Sequence, residues 1–150
     1  MDWYYPVLGG AVRGADAARR MAAGWDTFVV PGLGVRCVSD QPWVTGAETC
    51  ELVIALDACG LRSQALEVFA AAQHLRQPDG SYLTGWQFAN EAPFPDERSS
   101  WTAAAVVLAA DAIEGLSRGA GIFREAAEGT RPAPCACGGA PASPGHDHGE

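Results

Sequence analysis

A chain of 150 residues that is 48% hydrophobic and only 19% charged carries enough apolar material for one packed core, which excludes wholesale disorder. Its formal net charge of −8, without a single lysine, offers no broad cationic face, so neither nucleic acid nor an anionic membrane surface is an expected partner. No apolar run reaches bilayer length, and the start Met1-Asp2-Trp3-Tyr4-Tyr5 lacks the regions of a secretory signal, so no membrane span and a cytoplasmic location are expected. The five cysteines, Cys37, Cys50, Cys59, Cys135 and Cys137, are odd in number and scattered, unlike a secreted disulfide framework.

Trp3, Tyr4 and Tyr5 open a segment with few polar positions and are expected in the core. Ala17, Ala18, Met21, Ala22, Trp25 and Phe28 recur at helical spacing, which predicts a helix over Asp16 to Phe28 with Asp16 as its cap. Val30-Pro31-Gly32-Leu33-Gly34 breaks it, and the chain is expected to run irregularly to Pro42.

Thr45-Gly46-Ala47-Glu48 has the form of a capping box and starts a second helix running to Gly60, apolar on nearly every side and therefore buried on most of them. A third, capped by Ser63, places Ala65, Leu66, Phe69, Ala72 and Leu75 on one stripe, as an outer helix does. Gln77-Pro78-Asp79-Gly80 is a turn, and a second irregular stretch follows through Gly85, Pro93 and Pro95. From Ser99 a fourth helix, Trp101 to Ile113, is again apolar nearly all round before Gly115.

Aligning Thr49–Ala58 with Ala103–Ala112 superposes Asp57 on Asp111, a repeat of about 54 residues, in the size class of paired-helix repeats. Inner helix, outer helix, long loop, inner helix predicts an all-α architecture in two concentric layers. Beyond Phe123 glycine, proline, alanine and serine dominate, and a disordered tail is expected over 125–150. Its Cys135-Ala136-Cys137 and His146-Asp147-His148 are metal-ligand types without a structural zinc spacing, and no metal or other cofactor is assigned.

The segment Phe69-Ala70-Ala71-Ala72-Gln73 with Gln77-Pro78-Asp79-Gly80-Ser81-Tyr82 resembles the repeat of the terpenoid cyclase and prenyltransferase α/α toroids, with tyrosine where the repeat has tryptophan. Asp2 to Gly10, Trp25 to Cys37 and Trp43 to Cys50 resemble the later part of bacterial prenyltransferase or squalene-cyclase-repeat proteins. The resemblance implies that residues 1–124 form part of an α/α toroid, an incomplete ring of helical hairpins, with Met1 falling inside a longer chain. It further implies an isoprenoid substrate in a central apolar cavity, and a homodimer or a separate amino-terminal half that covers the exposed ends. The Asp-x-Asp-Asp acid of the cyclases is absent. The aspartate and cysteine of a prenyltransferase zinc site have a local counterpart in Asp57-Ala58-Cys59, with His74 the nearest histidine and on the outer helix.

In such a ring the loops entering the inner helices meet on one face. They supply Arg36, Asp40, Trp43 and Glu48 in one case and Asp96, Glu97, Arg98 and Trp101 in the other. Asp40 and Glu48 are the candidate catalytic acids; Arg36, Trp43, Tyr82, Trp86, Arg98 and Trp101 are the candidate substrate-binding residues. A carboxylate, arginine and tryptophan rim suits a sugar, with two carboxylates sharing acid and base roles. It suits a prenyl diphosphate equally, the arginines holding phosphate and the aromatics lining an apolar cavity. A non-catalytic scaffold is the third reading. Structural roles are also open: Glu48 as partner of Thr45 in the capping box, Asp26 and Asp40 as caps or turns, Trp43 and Trp101 as plugs between helices.

Overall fold

The computed structural model describes residues 3–124, so the tail expected over 125–150, with its cysteines and histidines, lies outside the described residues. The architecture corrects the all-α toroid expected from the sequence. Helices α1 (Tyr5–Leu8), α2 (Gly14–Phe28), α3 (Gly46–Ala58), α4 (Arg62–Ala72) and α5 (Ser100–Glu114) are joined by strands β1 (Val29–Val30), β2 (Gly34–Arg36), β3 (Trp43–Thr45), β4 (Gly85–Gln87) and β5 (Ala92–Pro93). The strands form one antiparallel sheet in the order β1-β2-β3-β4-β5.

Both stretches expected to be irregular thus supply strands, and α3 and α4 are inserted between the paired neighbours β3 and β4. Val44 sits opposite Arg36 on one side and Trp86 on the other. Each strand is two or three residues long, too short to display the alternation by which a strand is read from sequence.

Helix α3 is the centre of the molecule. Leu52, Val53, Ile54, Ala55 and Leu56 are all buried, as are Thr49 and Cys50, and the helix packs against α1, α4, α5 and β2. At about 1.5–3 kcal/mol for each large aliphatic side chain removed from water, this one helix dominates the core. The stripe Ala17, Met21 and Gly24 is the buried side of α2, and Trp3 lies against Gly24.

The capping box does not form. Thr45 makes no side-chain cap hydrogen bond; it belongs to β3, with partners on both neighbouring strands. Thr49 holds the junction instead: its hydroxyl accepts from the Val35 amide at 2.9 Å and donates to the Thr45 carbonyl at 2.6 Å, tying sheet to helix. Ser99 does cap α5, accepting from the Thr102 amide at 3.1 Å, and Gly115 closes that helix in the left-handed conformation.

Helix α5 departs from the expected inner type. Its Ala105, Val106, Ala109 and Ile113 are buried, but Trp101, Val107 and Leu108 are exposed. The repeat-related aspartates end in different partnerships. Asp57, almost fully buried, lies 2.5 Å from Arg124 and 3.9 Å from Arg62, which joins α3 to α4 and to the last described residue. Asp111 accepts from the amide and hydroxyl of Ser117.

Candidate functional site

Three donors from two separate segments converge on the Glu51 carboxylate, in the second turn of α3. The Tyr4 hydroxyl donates to Oε2 at 3.0 Å, the Tyr5 hydroxyl to the same oxygen at 2.9 Å, and the Trp101 indole N–H to Oε1 at 3.2 Å. The amino-terminal segment, α3 and the first turn of α5 are needed to build it. The tyrosines are tilted against each other, 5.0 Å between ring centroids. Burial, then the Glu51 charge, drives the Tyr4 phenol far above its ordinary value. The same causes push Tyr5 up to about 12. Both hydroxyls therefore remain donors at neutral pH.

Glu48 lies one turn earlier on the same helix, and three residues of spacing put its side chain on the side that carries Glu51. It is close enough to contribute to the raised values of both tyrosines. On its other flank is Cys37, whose thiol is raised by burial first, then by the charge of Glu48 and a hydrogen bond with it. Two acids thus share the amino-terminal half of a helix, the end whose dipole favours negative charge.

One hollow is lined by Glu51 itself and a second by Cys37, the neighbour of Glu48. On the Glu51 side, Glu51, Trp101, Leu8, Ile54, Leu108 and Phe123 help line a cleft of about 160 Å³. Trp101 is 58% exposed there, an indole anchored by its N–H with much of its ring open to solvent. On the Glu48 side, Trp3, Arg20, Phe28, Cys37, Val38, Ser39 and Asp40 line a shallow hollow of about 560 Å³.

Of the residues singled out from sequence, Glu48 and Trp101 come together around Glu51, and Asp40 lies in the adjoining hollow. The others are elsewhere. Arg36 donates to the Ser39 carbonyl at 3.0 Å and lies over the Phe88 ring. Trp43 stacks on Phe94, 4.8 Å between centroids, and Trp86 meets His74 edge-on. Tyr82 donates to Gln73 at 2.7 Å. Arg98 borders a separate hollow with Tyr82 and Ser99. Asp57 of the zinc-like spacing is held by arginines, and among the described residues no group of three or more ligand-type side chains clusters around a metal position.

Sequence reasoning missed Glu51, Tyr4 and Tyr5 as a site. The signal available was Glu48-Thr49-Cys50-Glu51, two acids at helical spacing on a helix otherwise almost wholly apolar. A carboxylate in that setting demands partners.

No protein-family model matches the chain. Over 124 residues, 83% of its length, the chain is 60% identical to an MMP endo-(1,4)-3-O-methyl-alpha-D-mannosidase of Mycolicibacterium hassiacum. The chain spans about a third of the length of that relative, the matched part being 34% of it. This relative carries the name of a glycosidase, and together with the five-stranded sheet it overturns the resemblance to prenyltransferases and terpenoid cyclases and the isoprenoid substrate drawn from it. Among the described residues no helix is long and apolar enough to cross a membrane.

Proposed function

We propose that this chain supplies catalytic carboxylates and sugar contacts to a glycosidase that cuts within a chain of α-1,4-linked, O-methylated mannose. The observation that carries the reading is the convergence of Tyr4, Tyr5 and Trp101 on Glu51, one helical turn from Glu48. Glycoside hydrolysis needs two carboxyl groups beside the scissile bond, one to protonate the departing oxygen and one to act on the opposite face of the ring. Among the described residues the three hydrogen bonds to Glu51 all come from donors, which orient its carboxylate before substrate arrives. Glu51 then serves the anomeric carbon or its attacking water, and Glu48 is the second carboxyl group. Trp101, exposed and held through its N–H, presents a flat face for a sugar ring to stack on. High identity to the mannosidase supports the substrate class.

The test is Glu51→Gln in the intact protein, assayed on α-1,4-linked 3-O-methylmannose oligosaccharides. Glutamine keeps the shape and an acceptor oxygen but can neither attack the anomeric carbon nor take a proton from water, so kcat should fall by about 10²–10⁴-fold while thermal stability stays near wild type. Retention of kcat within severalfold removes Glu51 from the chemistry.

A further inference from the structure

We infer that the hollow lined by Trp3, Phe28 and the Cys37–Asp40 loop is a sugar subsite for an O-methylated hexose on the Glu48 side of the cleavage point. The inference rests on the glycosidase reading above and adds to it a second binding position and the chemistry it selects.

The hollow is joined to the acids at two places. Cys37 lines it and interacts with Glu48; Trp3, also in its lining, meets Tyr4 edge-on at 6.1 Å, and Tyr4 donates to Glu51. An enzyme that cuts inside a polysaccharide must hold sugar units on both sides of the bond. Glu51 itself lines the Trp101 cleft, and this hollow reaches Glu48 through Cys37, so it offers the second binding position. It is a shallow, open hollow of about 560 Å³.

Its lining is divided in a way that suits a methyl ether. Trp3 and Phe28 stack at 5.4 Å with their planes 11° apart, and Val38 stands beside them 42% exposed, an apolar side chain presented to solvent on a loop. Ser39 and Asp40, which follow directly, and Arg20 from α2 give the hydroxyl-binding partners. A methyl group against Val38 and the aromatic wall, with free hydroxyls toward Asp40 and Ser39, satisfies both halves; a fully hydroxylated ring would leave a polar group against the apolar wall.

The variant that tests this is Val38→Asp in the intact protein, with binding read by calorimetry in a Glu51→Gln background so that no turnover intervenes. Val38 is outside the core, so folding is expected to survive; Val38→Thr, nearly isosteric, checks it. For a 3-O-methylated α-1,4-mannose oligosaccharide long enough to fill both hollows, Kd should rise about 10-fold or more in Val38→Asp, against about 2-fold or less for the unmethylated oligosaccharide of equal length, as loss of one apolar contact predicts. Equal changes for the two ligands, or none for either, overturn the subsite. Hydrolysis that depends on Glu51 in an otherwise wild-type protein then leaves the acid site standing. Methyl-selective binding that depends on Val38, in a protein whose hydrolysis ignores Glu51, upholds the subsite and removes the acid assignment instead.

Discussion

Gly24→Ala should destabilise the protein although it replaces a glycine inside a helix. A Cβ at this position would stand 2.2 Å from Trp3 Nε1 and 2.4 Å from Cδ1 and Cε2, far inside the ~3.5–4.0 Å at which such atoms pack. The indole cannot yield cheaply. Its N–H donates to the Arg20 carbonyl at 2.7 Å, the Arg20 Nε donates back to the Trp3 carbonyl at 2.6 Å, and the ring stacks on Phe28. Overpacking of this kind costs about 1–3 kcal/mol, and losing the indole hydrogen bond about 1 kcal/mol more. Alanine returns about 1 kcal/mol through its better helix propensity. A net loss of about 2 kcal/mol is expected, read as a lower midpoint in urea with unchanged slope, accompanied by a red shift of tryptophan emission. In a Trp3→Ala background the same substitution has nothing to strike and should be neutral or stabilising by up to about 1 kcal/mol. A Gly24→Ala protein as stable as wild type, or a penalty that persists without the indole, refutes the packing argument.

Thr49→Val keeps the shape of the side chain and strands the Val35 amide, so a loss of about 1–3 kcal/mol is expected on thermal unfolding. Thr49→Ser should recover most of it, and an unchanged melting temperature in the valine variant would contradict the role given to Thr49. Alkaline pH should weaken the fold. Burial, then Glu51, pushes the Cys50 thiol from 9.0 to about 12, and Tyr5 moves from 10.0 to about 12. The fold favours the protonated forms, so their contribution is complete below the ordinary values and is lost as pH rises from about 9 to about 12. The urea midpoint should fall across that window; a midpoint that rises there reverses the sign of the argument.

The four longer helices were legible because each carries its own pattern over many residues; α1, four residues long, was not. Gly14–Phe28 was within two residues of the stretch read from spacing, and Ser99 capping α5 with Gly115 closing it followed from residue chemistry. The sheet was not legible. Val29-Val30, Gly34-Val35-Arg36 and Gly85-Trp86-Gln87 are too brief to alternate, and what makes them strands is a neighbour up to forty-four residues away, as Trp43 is for Gln87. Reading these segments as loops left an all-helical remainder, which fitted a toroid; the isoprenoid substrate came from the resemblance carried by Phe69–Gln73 and Gln77–Tyr82.

The site divides in the same manner. Glu48 and Trp101 stood out as residue types in suggestive segments, but their meeting point is Glu51, fifty residues from Trp101 and forty-seven from Tyr4. By itself the sequence determined the positions of the four longer helices, the burial of α3 and the acidic, lysine-free composition, because propensity, periodicity and charge act over short stretches of chain. Tertiary structure alone decided that the two glycine- and proline-rich stretches pair as one sheet and that two tyrosines and a tryptophan turn toward one carboxylate. Those outcomes depend on contacts between distant segments, whose partners no local pattern names.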